Sequence, residues 1–203
     1  METVQNNKRI LSTSNLVKIS MFAAAAGLLT MFKFPIPIAP PFMTVDFGDV
    51  ATLISGFALG PISGLITVVM KNIINLLLNG TTTAYVGELS NAIVGCVFVG
   101  TASIIYQRGK SRKSAIIGLV LGIITMTIVA TMSNYFVIFP LYAKAMGKEL
   151  IDFVKFMPPN NYIHSFMDLI LFAVVPFNIV KGALNSIVTI LIYKHISRII
   201  KNI

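Results

Sequence analysis

Asn178, Lys181 and Asn185 fall at i, i+3 and i+7 inside an apolar stretch near the end of the chain, which puts all three on one face of an α-helix. An ammonium group among so many Val, Ile and Leu side chains is costly unless it meets a partner or a ligand, so this face is a candidate binding surface. Pro176, just ahead of it, frees a backbone carbonyl and permits a kink. Asn134, between Ser133 and Tyr135, and Asn91, one turn after Glu88, place two more amides in apolar stretches. Asparagine both donates and accepts without carrying charge, which suits a neutral solute rich in hydroxyls and amides. Lys71, Asn72 and Asn75 form another polar group, open to both interhelical packing and ligand binding.

Other chemistries lack their residues. Gly109-Lys110-Ser111 resembles the end of a phosphate-binding loop, but Ile104 stands where the motif needs its first glycine, so no ATP site is expected. Gly60-Pro61-Ile62-Ser63-Gly64 would need a histidine base beside Ser63, and the two histidines, His164 and His195, belong to other parts of the chain. Asp46 and Asp49 read as loop residues, with Asp49 a natural helix N-cap. The single cysteine, Cys96, excludes an internal disulfide, and scattered carboxylates give no metal cluster. The expectation is a protein that is not an enzyme and holds neither metal nor cofactor.

The elements that must position these groups follow from composition. Of 203 residues 56% are hydrophobic and only 11% charged, too few charges for a soluble domain of this size. Apolar runs approach or exceed the ~18 residues of a membrane span. The expected architecture is all-α and polytopic, a single transmembrane domain over 1–203 with helices at about 17–33, 49–59, 61–78, 85–106, 114–142 and 163–193. The formal net charge of +9 gathers at the ends of the apolar runs, which points to membrane topology and the lipid surface and away from nucleic acid. Three basic clusters (Lys8, Arg9 and Lys18; Arg108, Lys110, Arg112 and Lys113; Lys194, Arg198 and Lys201) all belong on the cytoplasmic side. That holds if the run from 49 to 78 divides at Gly60-Pro61, giving six transmembrane helices with both termini cytoplasmic. No cleavable signal peptide is expected, so the first helix stays. The first outer loop carries Phe34, Ile36, Ile38, Phe42, Met43, Val45 and Phe47 between prolines. So stiff and apolar a segment suits a cover over a ligand with a flat apolar part.

These residues resemble the substrate-binding (S) components of energy-coupling-factor (ECF) vitamin transporters, in particular the riboflavin-binding group. The likeness rests on Lys33-Phe34-Pro35-Ile36-Pro37, Asp46-Phe47-Gly48-Asp49, Gly60-Pro61-Ile62-Ser63-Gly64, Asn134-Tyr135-Phe136-Val137 with Pro140-Leu141-Tyr142, and Pro176-Phe177-Asn178-Ile179-Val180-Lys181-Gly182, in that order along nearly the whole chain. It implies an ECF S-component-like bundle in a prokaryotic plasma membrane, taking up riboflavin as its transported ligand. It implies further that Asn134, Asn178 and Lys181 hydrogen-bond the flavin edge or ribityl hydroxyls, that Phe42, Met43 and Thr44 pack on or bond to the ligand, and that Asn91 takes part. Glu88 departs from the pattern, being acidic where a neutral residue is expected. The implied partners are a transmembrane coupling subunit and two cytoplasmic ATPase subunits, the first docking on the small residues Ala23 and Gly27, whose spacing serves internal helix packing equally well. An S component for thiamin or biotin, or a stand-alone secondary transporter using Glu88 or Asp168, are the competing expectations.

Overall fold

A computed structural model describes residues 12–81, 83–157 and 162–201, with side chains described as far as Tyr193. Lys8 and Arg9 lie outside the described residues, as do the side chains of Lys194, Arg198 and Lys201. The chain is predominantly helical. Helix α1 (Thr13–Thr30) starts at Ser12, whose hydroxyl accepts from the Asn15 amide at 3.4 Å. A loop then closes on itself through a two-residue antiparallel ribbon, β1 (Phe34–Pro35) against β2 (Thr44–Val45), pairing Phe34 with Val45 and Pro35 with Thr44. Helices α2 (Gly48–Leu59) and α3 (Pro61–Asn79) meet at Gly60, whose φ of +99° only glycine adopts readily, and Pro61 opens α3 where no amide hydrogen is needed.

Helix α4 (Val86–Gly109) turns at Lys110 into α5 (Arg112–Ser133), which opens with a reciprocal Ser111–Ser114 capping box. A π-helical turn (Asn134–Ile138) carries α5 into α6 (Phe139–Met146). After a 3₁₀ segment (Leu150–Phe156), α7 (Phe166–Leu169) passes through a second π turn (Ile170–Val174) into α8 (Val175–Lys201). The kink that Pro176 permits falls just after the second π turn, and Pro140 stands at the same offset from the first. Four helical stretches among the described residues are long and apolar enough to cross a membrane: Pro61–Asn79, Val86–Gly109, Arg112–Met146 and Phe166–Tyr193, with Gly48–Leu59 a shorter apolar helix.

Two apolar cores divide the bundle. The larger, around Leu53, Phe57, Val68, Phe98, Leu119 and Met126, joins α2 through α5 with α8. The smaller gathers aromatic rings at the loop end. There Phe42 meets Phe139, Tyr142, Phe153 and Phe156 with ring centroids 6.2, 5.3, 6.1 and 6.1 Å apart. A third, minor cluster seats Ala39 and Val45 of the loop on Phe177 of α8.

Of the two uses open to the small residues Ala23 and Gly27, the structure displays internal packing. Both are buried inside this chain, Ala23 at 1% exposure, and a Cβ on Gly27 would come within 2.5 Å of the Ile74 Cγ2 on α3. Small residues permit close approach, and here the approaching helix belongs to the same molecule. In this structure Gly27 packs α1 against α3, and Ala23 is buried with it.

Two outcomes follow from this packing. Gly27→Val should destabilise the detergent-solubilised protein by about 1–3 kcal/mol through overpacking, and Ile74→Ala in the same chain should recover part of the loss in a thermal melt. Phe42→Ala should remove the ring that seats the loop in the aromatic cluster. Limited proteolysis within 34–47 should then accelerate while far-ultraviolet circular dichroism stays unchanged.

Candidate ligand cavity and its charged floor

Beneath the loop lies a partly open cavity whose empty space, its open mouth included, is about 520 Å³. The loop supplies Phe42, Met43 and Thr44; α4 supplies Gly87, Ser90, Asn91 and Val94. The π turn contributes Asn134 and Ile138, α6 adds Tyr142, and α8 adds Phe177, Asn178 and Lys181. The structure thus brings Phe42, Met43, Thr44, Asn91, Asn134, Asn178 and Lys181 to one place. Sequence reasoning missed Gly87, Ser90, Val94, Ile138, Tyr142 and Phe177. Gly87 and Val94 lie four residues before and three after Asn91, and Ile138 lies four after Asn134, so extending each asparagine's helical face would have found these three.

The amides are oriented by their own helices. Asn134 Nδ2 donates to the Ala130 carbonyl at 2.8 Å, and Asn178 Nδ2 donates to the Val174 carbonyl at 2.8 Å. Both asparagines are buried, and each keeps its Oδ1 as an acceptor for a ligand. Asn91 is turned the other way: its Oδ1 accepts from Lys181 Nζ at 3.0 Å, which leaves its Nδ2 as a donor. The walls therefore offer acceptors from α8 and the π turn and a donor from α4, set among Phe42, Met43, Val94, Ile138 and Phe177. That arrangement fits a flat molecule with apolar faces and an edge that both donates and accepts.

Lys181 stands over a charged floor. Its Nζ lies 3.6 Å from Asp46 Oδ2 and 3.9 Å from Asp49 Oδ2. On the far side of the same carboxylates, Lys71 Nζ donates to Asp49 Oδ1 at 2.5 Å and lies 3.8 Å from Asp46 Oδ1. All four residues are at most 4% exposed. Asp49 is therefore not an N-cap. Phe47 occupies that position without a side-chain bond, and Asp49 sits in the first turn of α2, facing Lys71. Asp46 is no solvated loop residue either: its carboxylate accepts from the Gly48 amide at 2.9 Å and from Thr30 Oγ1 at 3.4 Å, while its carbonyl accepts from Asn185 Nδ2 at 3.0 Å. Two ammonium groups against two carboxylates leave the floor neutral overall, a setting for an uncharged ligand.

Several polar residues lie apart from the cavity. Asn72 donates to its own helix at Val68, Asn75 accepts from Asn79, and Ser133 donates to the Ala130 carbonyl. Glu88 accepts from Thr81 and Thr83 at 3.1 Å each, outside the cavity lining.

The family model for the substrate-specific component of ECF transporters matches residues 14–193. The riboflavin transporter RibU of Staphylococcus aureus is 39% identical over 200 residues, covering 98% of this chain and 96% of that protein. The riboflavin transporter FmnP of Bacillus subtilis is 26% identical over 184 residues, covering 90% and 92%. A solved structure described as the S component of a bacterial ECF transporter superposes with a TM-score of 0.73 at 37% identity, over 96% of this chain and 98% of that one. With membrane-length helices around a roofed cavity, and matches that run nearly end to end, the chain belongs to the family of substrate-specific components of ECF transporters.

Proposed function

We propose that this chain is the riboflavin-binding subunit of an ECF transporter. It takes the vitamin into the cavity beneath the 34–47 loop and delivers it inward when attached to an ATP-hydrolysing coupling module. The observation that carries this reading is the convergence of Asn91, Asn134, Asn178 and Lys181 with Phe42, Met43 and Thr44 around one cavity, in a chain so similar to named riboflavin transporters. An isoalloxazine ring has the required apolar faces and an edge alternating acceptors with a donor, and a ribityl chain brings hydroxyls for the remaining amides. Asn134 and Asn178 accept from the ligand, Asn91 and Lys181 donate, and Phe42 and Met43 cover the ring.

The topology that fits this role has six crossings of a prokaryotic plasma membrane, both termini cytoplasmic and the loop outside. It is supported by the break between α2 and α3 at Gly60, and by Arg108, Lys110, Arg112 and Lys113 at the turn between α4 and α5. The partners are a transmembrane coupling subunit and two cytoplasmic ATPases. The docking face we assign to the coupling subunit is the outward side of α1, where Met21, Ala24, Ala25 and Leu28 are exposed, one residue round from the buried Ala23 and Gly27. No catalytic step on the vitamin is part of this role.

Titration of riboflavin with purified protein, followed by quenching of flavin fluorescence, tests the proposal. The unaltered protein should bind, and thiamin or biotin should not compete. Asn178→Ala should weaken binding about 5- to 150-fold, the equivalent of ~1–3 kcal/mol for one lost buried hydrogen-bond partner. Equal binding by a well-folded variant would count against the assignment. Ala24→Trp should leave that titration unchanged and lower riboflavin uptake in vesicles containing the coupling module.

A further inference from the structure

Lys71 is placed in the middle of α3, at 2% exposure, and does not line the cavity. Each of the two carboxylates between it and Lys181 is shared by its two oxygens: Asp46 and Asp49 both turn Oδ1 to Lys71 and Oδ2 to Lys181. The charge that Lys181 experiences is therefore set by Lys71, from a helix on the far side of the floor. Removing the Lys71 charge leaves one ammonium facing two carboxylates within about 4 Å. Lys181 is then drawn down toward them, away from Asn91 Oδ1 and out of the cavity. The same imbalance reaches the roof, because Asp46 belongs to the loop and is also held by Thr30, Gly48 and Asn185.

We infer that Lys71 is a positioning residue: through Asp46 and Asp49 it holds Lys181 at the cavity wall and holds the 34–47 loop closed over it. The effect on binding rests on the riboflavin reading above, whereas the effect on the loop does not. Charge balance, not the bulk of the lysine stem, does the positioning, so restoring neutrality by another route restores the site.

Lys71→Met keeps most of the side-chain volume and removes the charge. It should weaken riboflavin binding by about tenfold or more, since a buried carboxylate loses its partner. Asp49→Asn added to Lys71→Met leaves Asp46 alone with Lys181, neutral again, and should return affinity to within about threefold of the unaltered protein. A purely structural contribution of Lys71 predicts the opposite, a double variant no better than the single one. Lys71→Gln supplies a second variant, able to donate to Asp49 but uncharged. It should lose binding as Lys71→Met does, and it decides the matter if Lys71→Met fails to elute as a monodisperse folded species.

A ligand-free readout runs beside the titration. In a Cys96→Ala background, Ala39→Cys places a thiol at a loop position that is 3% exposed when the loop is seated. Its labelling by a water-soluble maleimide should speed up severalfold with Lys71→Met and return with the Lys71→Met/Asp49→Asn pair. Undiminished binding in folded Lys71→Met or Lys71→Gln, or failure of the neutral pair to recover, overturns the inference. If the unaltered protein does not bind riboflavin, the proposed function falls. The labelling series then decides the role of Lys71 alone, a rise with recovery supporting it and a constant rate overturning it.

Discussion

Two ammonium groups buried in an apolar bundle have to be neutralised where they stand, because stripping an ion of water costs several kcal/mol. In this chain Lys71 and Lys181 reach the interior from α3 and α8, and the carboxylates that meet them come from the end of the loop and the first turn of α2. That pairing dictates more than charge. It fixes where the loop must re-enter the bundle, at Asp46, and where α2 must begin, at Gly48. It also requires close approach at that point: a Cβ on Gly48 would clash with Thr30 Oγ1 and lie 2.8 Å from both the Ala26 carbonyl and the Lys71 Cδ. Breaking such a pair from one side typically costs about 3–5 kcal/mol, as the abandoned charge has nowhere to go.

The roof over the cavity is stretched between two anchors of different chemistry. At one end Phe42 is set among rings from α6 and the 3₁₀ segment, an apolar contact with no fixed direction. At the other, Asp46 is fixed by directional bonds to three parts of the chain. Met43 and Thr44, which face the cavity, lie between these anchors. The β1–β2 ribbon and the Met43 amide bond to the Pro40 carbonyl at 2.8 Å stiffen the span between them. The ionic anchor shares Lys181 with the cavity wall, so seating the loop and completing the wall are one event.

What was legible in the sequence followed from how costly a polar group is in an apolar stretch. Asn178 and Lys181 stood out on that ground, and so did Asn91 and Asn134; Phe42 and Met43 stood out as part of a stiff apolar loop, while Thr44 came from family likeness alone. The partners of the lysines were legible in principle and were misread. Two lysines at membrane depth demand two carboxylates, and Asp46 and Asp49 were near at hand, but a local reading made Asp49 a cap. Ala23 and Gly27 show a different limit: small residues at that spacing report that a helix comes close without saying which one, and Ile74 of this chain is what comes close. Tyr142 was hidden for a geometric reason, since it lies across a π turn from Asn134.

That turn is what gives the cavity its far wall. In an unbroken α-helix the eight residues from Asn134 to Tyr142 overrun two turns by ~80°, which would rotate the tyrosine away from the asparagine's face. A π turn accommodates one additional residue, worth ~100° of rotation, and so brings the two back nearly into line, with Ile138 between them. The second π turn does the complementary task on the neighbouring rod. Leu169, Ile170, Ala173 and Val174 pack into the aromatic cluster, whereas Phe177, Asn178 and Lys181, just beyond the turn, face the cavity. Asn134 opens the first turn and Asn178 lies four residues past the second, and the amide nitrogen of each donates to a carbonyl of its own helix. The helices thus bias the polarity of the wall before any ligand arrives: each takes one N–H of its asparagine and leaves the Oδ1 as an acceptor, while Asn91, held through its Oδ1, presents a donor. Over a floor whose charges cancel, selection then falls to the pattern of donors and acceptors along the edge of the guest and to the flatness of its apolar faces.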